Sequence, residues 1–163
     1  MTDFRRLLAT LVDGAVEFLV VGGLAANVHG SGRLTSDVDV VYARTPANLH
    51  RLSRSLTPLH PYLRGAPPGL PFLLDERTLA AGLNFTLTTD AGDLDLLGEI
   101  AGGGGYGALL PHSVTIELFG HAVRCLDLPT LIQVKRAAGR AKDLEVLAEL
   151  EVLLDESAPD STP

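Results

Sequence analysis

Asp37 and Asp39 stand one residue apart inside DVDVVY, residues 37 to 42, a run whose valines should be buried. Alternate side chains of a strand share a face, so the two carboxylates point the same way, about 7 Å apart. An unpaired buried carboxylate costs several kcal/mol or more. The chain must therefore fold so that something offsets this charge. DLDLL repeats the arrangement with Asp93 and Asp95. Carboxylates converging from two neighbouring strands make an oxygen-rich site suited to Mg²⁺, which prefers a few carboxylates plus waters and substrate phosphates. Two such ions about 4 Å apart stabilise both the attacking and the leaving oxygen of a phosphoryl group. For any single D-x-D the plain alternative is a solvated strand face.

The surrounding pattern supplies the strands. EFLVVGG, residues 17 to 23, is a short apolar run ended by glycines and reads as a buried strand, with a brief helix in LAANVHG after it. Phe4, Leu7, Leu8, Leu11 and Val12 repeat at helical spacing up to Gly14, and Thr45-Pro46 opens a second helix that Leu49, Leu52 and Leu56 continue to Pro58. Residues 58 to 71 hold five prolines and read as an irregular connection. LNFTLTT and DLDLLGE around DAG predict a hairpin, as do SVTIELF and HAVRCLDL. The GGGG run at 102 to 105 is read as a flexible loop, because four glycines hold regular structure only at high entropic cost. PTLIQVKRAAGRAKDLEVLAELEVLLDE is helical with a break at Gly139. Strands and helices interleave early and hairpins come late, which predicts an α/β (α+β) fold, a mixed β-sheet flanked by helices.

Composition narrows the partners. The 163 residues carry a formal net charge of −7, so a polyanion such as RNA needs a local basic patch and is not indicated by the total. The single cysteine, Cys125, leaves no internal disulfide and is expected in the core. Arginines and aspartates interrupt the apolar run of TDFRRLLATLVDG, so it is read as neither signal peptide nor membrane span, and a cytoplasmic location is expected. Gly22 and Gly23 suit a turn where phosphate oxygens approach backbone N–H groups closely, and equally a plain strand-to-helix turn. GGLAANVHG lacks the lysine of a Walker loop, and GSGRLT lacks the last glycine of a dinucleotide fingerprint. The five histidines show no metal-ligand spacing, and His29, just before Gly30, is the one placed to touch a ligand.

Val21-Gly22-Gly23, thirteen residues, Asp37-Val38-Asp39-Val40 and later Leu94-Asp95-Leu96 form an ordered set that resembles the signature of the nucleotidyltransferase superfamily related to DNA polymerase beta. KRAAGRAKDLEVLAEL also looks like the end of its small bacterial, minimal or toxin-like members. The resemblance implies a nucleotidyltransferase core over 1–126 with C-terminal helices over 127–156 packed on it, while SAPDSTP, 157–163, reads from its own residues as a disordered tail. It implies a Gly22-Gly23 turn beside a triphosphate, and metal ligation and catalysis by Asp37, Asp39 and Asp95, with Mg²⁺ or Mn²⁺. Asp95, flanked by leucines, fits the third acidic position; Asp93 is assigned to the turn or the rim. Arg33, Lys135 and Arg140 are the expected basic partners of the phosphates, and Asp143 is expected to pair with Arg140 or Arg136. The implied reaction moves a nucleoside monophosphate from an NTP to an unidentified acceptor, a protein, an RNA or a small molecule. An antitoxin is an implied protein partner. A nucleotide-binding or antitoxin-like regulatory protein without turnover is the alternative, and a metal phosphohydrolase a third.

Overall fold

The structure, a computed structural model, describes residues 1–157; the expected tail lies outside the described residues from 158 onward. Helix α1 (Phe4–Asp13) is capped by the Asp3 carboxylate, which accepts from Arg6 N, and buries Leu7, Leu8 and Leu11. Strand β1 (Phe18–Val21) runs directly into helix α2 (Gly22–Val28), so the glycine pair belongs to the helix rather than the strand. Strand β2 (Asp37–Tyr42) and helix α3 (Pro46–Leu56) follow, with Thr45 capping α3 and Pro46 in its first turn. The proline-rich connection is less irregular than its composition predicts. Tyr62–Leu63 form an edge strand, β3, and Asp75 caps a short helix α4 (Glu76–Ala81).

The two expected hairpins are present: β4 (Phe85–Thr89) with β5 (Gly92–Leu97), and β8 (Ser113–Leu118) with β9 (His121–Leu126). Between them the glycine run is ordered, contrary to expectation. Strands β6 (Glu99–Ile100) and β7 (Gly104–Gly105) pair, and a single helical turn, α5 (Tyr106–Leu109), follows. The entropic cost of glycine is offset by close approach to helix α6 (Leu128–Ala138). A Cβ on Gly102 would lie 2.5 Å from that of Ala137, and Gln133 Nε2 donates to the Gly102 carbonyl at 2.8 Å. Gly139, at φ 64°, ends α6, and α7 (Ala141–Ser157) completes the described chain.

Seven strands form one mixed sheet in the order β3-β4-β5-β2-β1-β9-β8, flanked by helices. β1 pairs antiparallel with β2 and parallel with β9, and β2 pairs parallel with β5. Leu19, Val20, Val38, Val40, Leu94 and Leu96 form the sheet's share of the core, with Leu131, Ile132, Val146, Leu147 and Leu150 of α6 and α7 in the same cluster. No helix among the described residues is long and apolar enough to cross a membrane.

One buried polar side chain locks the sheet to α3. Asn48, fully buried, accepts from Glu17 N at 2.7 Å and donates to the carbonyls of Ala43 at 2.7 Å and Glu17 at 3.1 Å. It satisfies the chain where it enters β1 and where it leaves β2. Asn48→Ala is expected to lower unfolding free energy by about 2–4 kcal/mol, since each orphaned buried group costs about 1–3 kcal/mol. Urea unfolding measures this; a loss below about 0.5 kcal/mol would show that the clamp is dispensable.

Candidate active site

The parallel pairing of β2 with β5 sets Asp37 opposite Asp93 and Asp39 opposite Asp95. Because side chains alternate along both strands, all four carboxylates emerge on one face. Asp37, Asp39 and Asp95 each offer an oxygen, and these atoms lie within 4.8 Å of one another. Asp93 stands outside that triad, towards the rim. One oxygen of Asp39, Oδ1, is buried and has no hydrogen-bond partner, a condition that is costly unless a ligand supplies one. Burial, together with the neighbouring carboxylates of Asp37 and Asp95, pushes the Asp39 carboxyl up to about 7. Burial and Asp95 raise Asp37 as well, opposed by Arg64 and Lys142.

The glycine pair lies against these groups. Gly22 adopts φ 66°, and a Cβ there would fall 2.1 Å from Asp39 Oδ2. A Cβ on Gly23 would fall 2.7 Å from the Thr35 hydroxyl oxygen. The close approach that excludes side chains at 22 and 23 is thus to the protein's own Asp39 and Thr35.

Arg64 went unrecognised in the sequence. It follows β3 in the proline-rich connection, where neither periodicity nor motif marks it. Its Nη2 donates to Asp95 Oδ1 at 2.8 Å, Nη1 lies 3.7 Å from Asp37 Oδ2, and Nε lies 3.4 Å from Asp93 Oδ1. The only available signal was indirect: four aspartates on one face need a counter-charge.

The expected cations divide into two groups. Lys135 of α6 and Arg140, between α6 and α7, converge on Asp143, which is 1% exposed. Lys135 Nζ lies 3.4 Å from Asp143 Oδ1 and Arg140 Nε 2.6 Å from Oδ2. Burial alone would raise Asp143, but the hydrogen bond from Arg140 and the charge of Lys135 hold it below the usual carboxylate range. Arg136 pairs instead with Glu151. Lys135 and Arg140 line a cavity of about 270 Å³ with Gly22, Asp39, Leu97 and Val134, and also a wider groove of about 640 Å³ with Asp37, Asp95 and Lys142. Arg33 lines that groove as well, but its guanidinium turns to α7, 3.5 Å from Glu149 and 3.7 Å from Glu145. None of the aspartates is its partner. His29 Nε2 is bonded to the Leu126 carbonyl at 2.7 Å, which accounts for it structurally. Cys125 is fully buried, its thiol pushed up to about 12 by burial.

Three carboxylates within reach of one point, one bearing an unpartnered buried oxygen, fit a hard divalent cation. Without a cation, the folded protein holds the Asp39 proton up to about pH 7, whereas an ordinary aspartate releases it near 3.8. Between those values the folded state binds more protons than the unfolded one, so stability falls as pH rises. In EDTA the urea midpoint is therefore expected to be lower at pH 8 than at pH 5.5, and Asp39→Asn to flatten that difference. A wild-type midpoint that rises over this interval would contradict the assigned environment of Asp39.

No protein-family model matches the sequence, and no curated protein matches it. Solved structures do. TM1012 of Thermotoga maritima, whose assignment as a nucleotidyltransferase is itself provisional, superposes with a TM-score of 0.56 at 17% identity, covering 96% of each chain. ANT(2")-Ia, crystallised with adenylyl-2"-tobramycin, superposes at 0.51 with 15% identity over 93% of this chain and 92% of its own. The solution structure of the antibiotic-resistance factor ANT(2'')-Ia gives 0.52 at 16% identity over 93% and 86%. These likenesses establish architecture alone: the chain has the nucleotidyltransferase-like fold of these structures, and Asp37, Asp39 and Asp95 cluster on it.

Proposed function

We propose that the protein transfers a nucleoside monophosphate from an NTP to an acceptor hydroxyl in a reaction that depends on Mg²⁺ or Mn²⁺. The observation that carries this reading is the convergence of Asp37, Asp39 and Asp95 with an orphaned Asp39 oxygen at the centre. A divalent cation held there would supply charge stabilisation to the phosphate oxygens. Asp37 and Asp39 would hold it, and Asp95 would complete the ligand set. In the reaction, the acceptor oxygen forms a bond to the α-phosphorus, the bond from that phosphorus to pyrophosphate breaks, and the acceptor proton passes to the Asp95 carboxylate. Lys135 and Arg140, set by Asp143 at the edge of the groove, balance the charge of the departing pyrophosphate. Gly22, on the smaller cavity, and Gly23, on the groove, leave room for Asp39 and Thr35 to pack against the start of α2. The cavity of about 270 Å³, walled by Leu97, Ile100, Leu131 and Val134, offers the adjoining apolar space for an organic moiety.

The acceptor class follows from no residue of this chain. The ANT(2")-Ia complex holds an adenylylated aminoglycoside, and a small hydroxyl compound is one acceptor class for the present groove. A toxin-like role requires a hydroxyl on a protein or an RNA. One observation favours the alternative of a nucleotide binder without turnover: Arg64 already neutralises part of the acidic cluster.

Incubation with α-labelled NTPs, Mg²⁺ and cell extract separates these readings. Transfer of label with stoichiometric pyrophosphate release is expected, and Asp39→Asn should lower the rate at least 100-fold, as loss of an essential charge at a phosphoryl-transfer centre does. Nucleotide binding without pyrophosphate release would favour the non-catalytic reading, and release of orthophosphate a hydrolase.

A further inference from the structure

Arg64 makes the nearest cationic contact to the acidic triad, and the reaction outlined above leaves it without a role. Among the described residues, no other ammonium or guanidinium pairs with Asp37, Asp93 or Asp95. Its main chain is fixed: Tyr62 and Leu63 pair with Thr88 and Leu87, and Arg64 N donates to the Thr86 carbonyl at 3.0 Å. Its side chain is held less completely. Nη2 is well bonded, to Asp95 Oδ1 at 2.8 Å and to the Leu87 carbonyl at 2.7 Å. Nε, by contrast, is buried with no hydrogen-bond partner, and lies 3.4 Å from Asp93 Oδ1 by charge attraction alone. A guanidinium fork matched to one carboxylate would show two parallel bonds. Here the fork is spread over three carboxylates, so it answers to the summed charge of the cluster rather than to a single partner.

We infer that Arg64 is a built-in competitor of the divalent cation, offsetting part of the charge of Asp95 and Asp37 when the cation is absent and raising the concentration needed to bind it. The inference rests on the metal-dependent reading proposed above. Arginine cannot shed its charge at any ordinary pH, so the competition is permanent rather than titratable. A cation coordinated by Asp95 would lie about 2 Å from a carboxylate whose Oδ1 also holds the guanidinium, and the two positive groups would repel at short range. Cation binding is therefore opposed while the Arg64 side chain stays in place and eased when it withdraws, and its fixed backbone keeps it at hand to return. Such a device lowers the net negative charge of the acidic face between turnovers without closing it to a cation.

Mn²⁺ titration of the full chain, followed by the electron paramagnetic resonance of free Mn²⁺, tests this without any need for turnover. Arg64→Gln is expected to bind Mn²⁺ at least tenfold more tightly than wild type. Arg64→Lys should fall between the two, because a lysine point charge cannot reach three carboxylates at once. Lys142 acts on Asp37 only from a distance, so Lys142→Gln should change the affinity less than threefold. Unchanged or weaker Mn²⁺ binding by a folded Arg64→Gln protein, checked by circular dichroism, overturns the inference. So does a Lys142→Gln protein that matches it, since that would mark a general effect of net charge. Should Arg64→Gln fail to fold, Arg64→Lys decides: tighter binding supports the competition and unchanged binding ends it. Asp39→Asn distinguishes the levels of failure. If it abolishes Mn²⁺ binding while Arg64→Gln changes nothing, only the role of Arg64 falls. If it leaves binding intact, or if no variant binds Mn²⁺, the metal-site reading falls and this inference with it.

Discussion

The in-register parallel pairing of β2 with β5 is the constraint on which the site depends. It converts two separate D-x-D tripeptides, more than fifty positions apart, into one surface with four carboxylates. A shift of that register by one residue would turn Asp93 and Asp95 to the opposite face and bring Leu94 and Leu96 out of the core. Those two leucines are fully buried, so the core energetics that hold them inward also hold Asp95 beside Asp39. Packing and site geometry are consequences of the same ladder.

Charge then organises the rest. Burial disfavours the Asp39 carboxylate, and repulsion from Asp37 and Asp95, whose nearest oxygens lie within 4.8 Å, adds to it, which is why the Asp39 carboxyl keeps its proton to about pH 7. The protein answers with cations at two distances. Arg64 touches the cluster from the β3 edge, while Lys135 and Arg140 stand back, tied to the buried Asp143. Asp143 also accepts from Arg140 N at the start of α7, reaching back from the third helical position as in a capping box. One carboxylate thereby fixes both the helix entry and the placement of two cations at the groove.

Much of this was legible in the sequence because period-2 and period-3.6 patterns are local. The strands carrying Asp37, Asp39 and Asp95, both hairpins, the Thr45-Pro46 start and the Gly139 stop are all set by neighbours a few residues away. What escaped the sequence is non-local. Arg64 has its role only because β3 docks on β4, and two residues of strand leave no periodicity to read. The glycine run is ordered by contact with Ala137 and Gln133, more than thirty residues on, which composition cannot show. Arg33 precedes the acidic strand closely in sequence, yet Glu145 and Glu149 of α7 claim it.

Anomalous diffraction from crystals grown with Mn²⁺ and a non-hydrolysable NTP analogue examines the central claim most directly. The account predicts a manganese peak within about 2.0–2.3 Å of carboxylate oxygens from both Asp37 and Asp39, with the analogue's phosphates on the same ion. A nucleotide bound elsewhere, with no peak between these two aspartates, would contradict it.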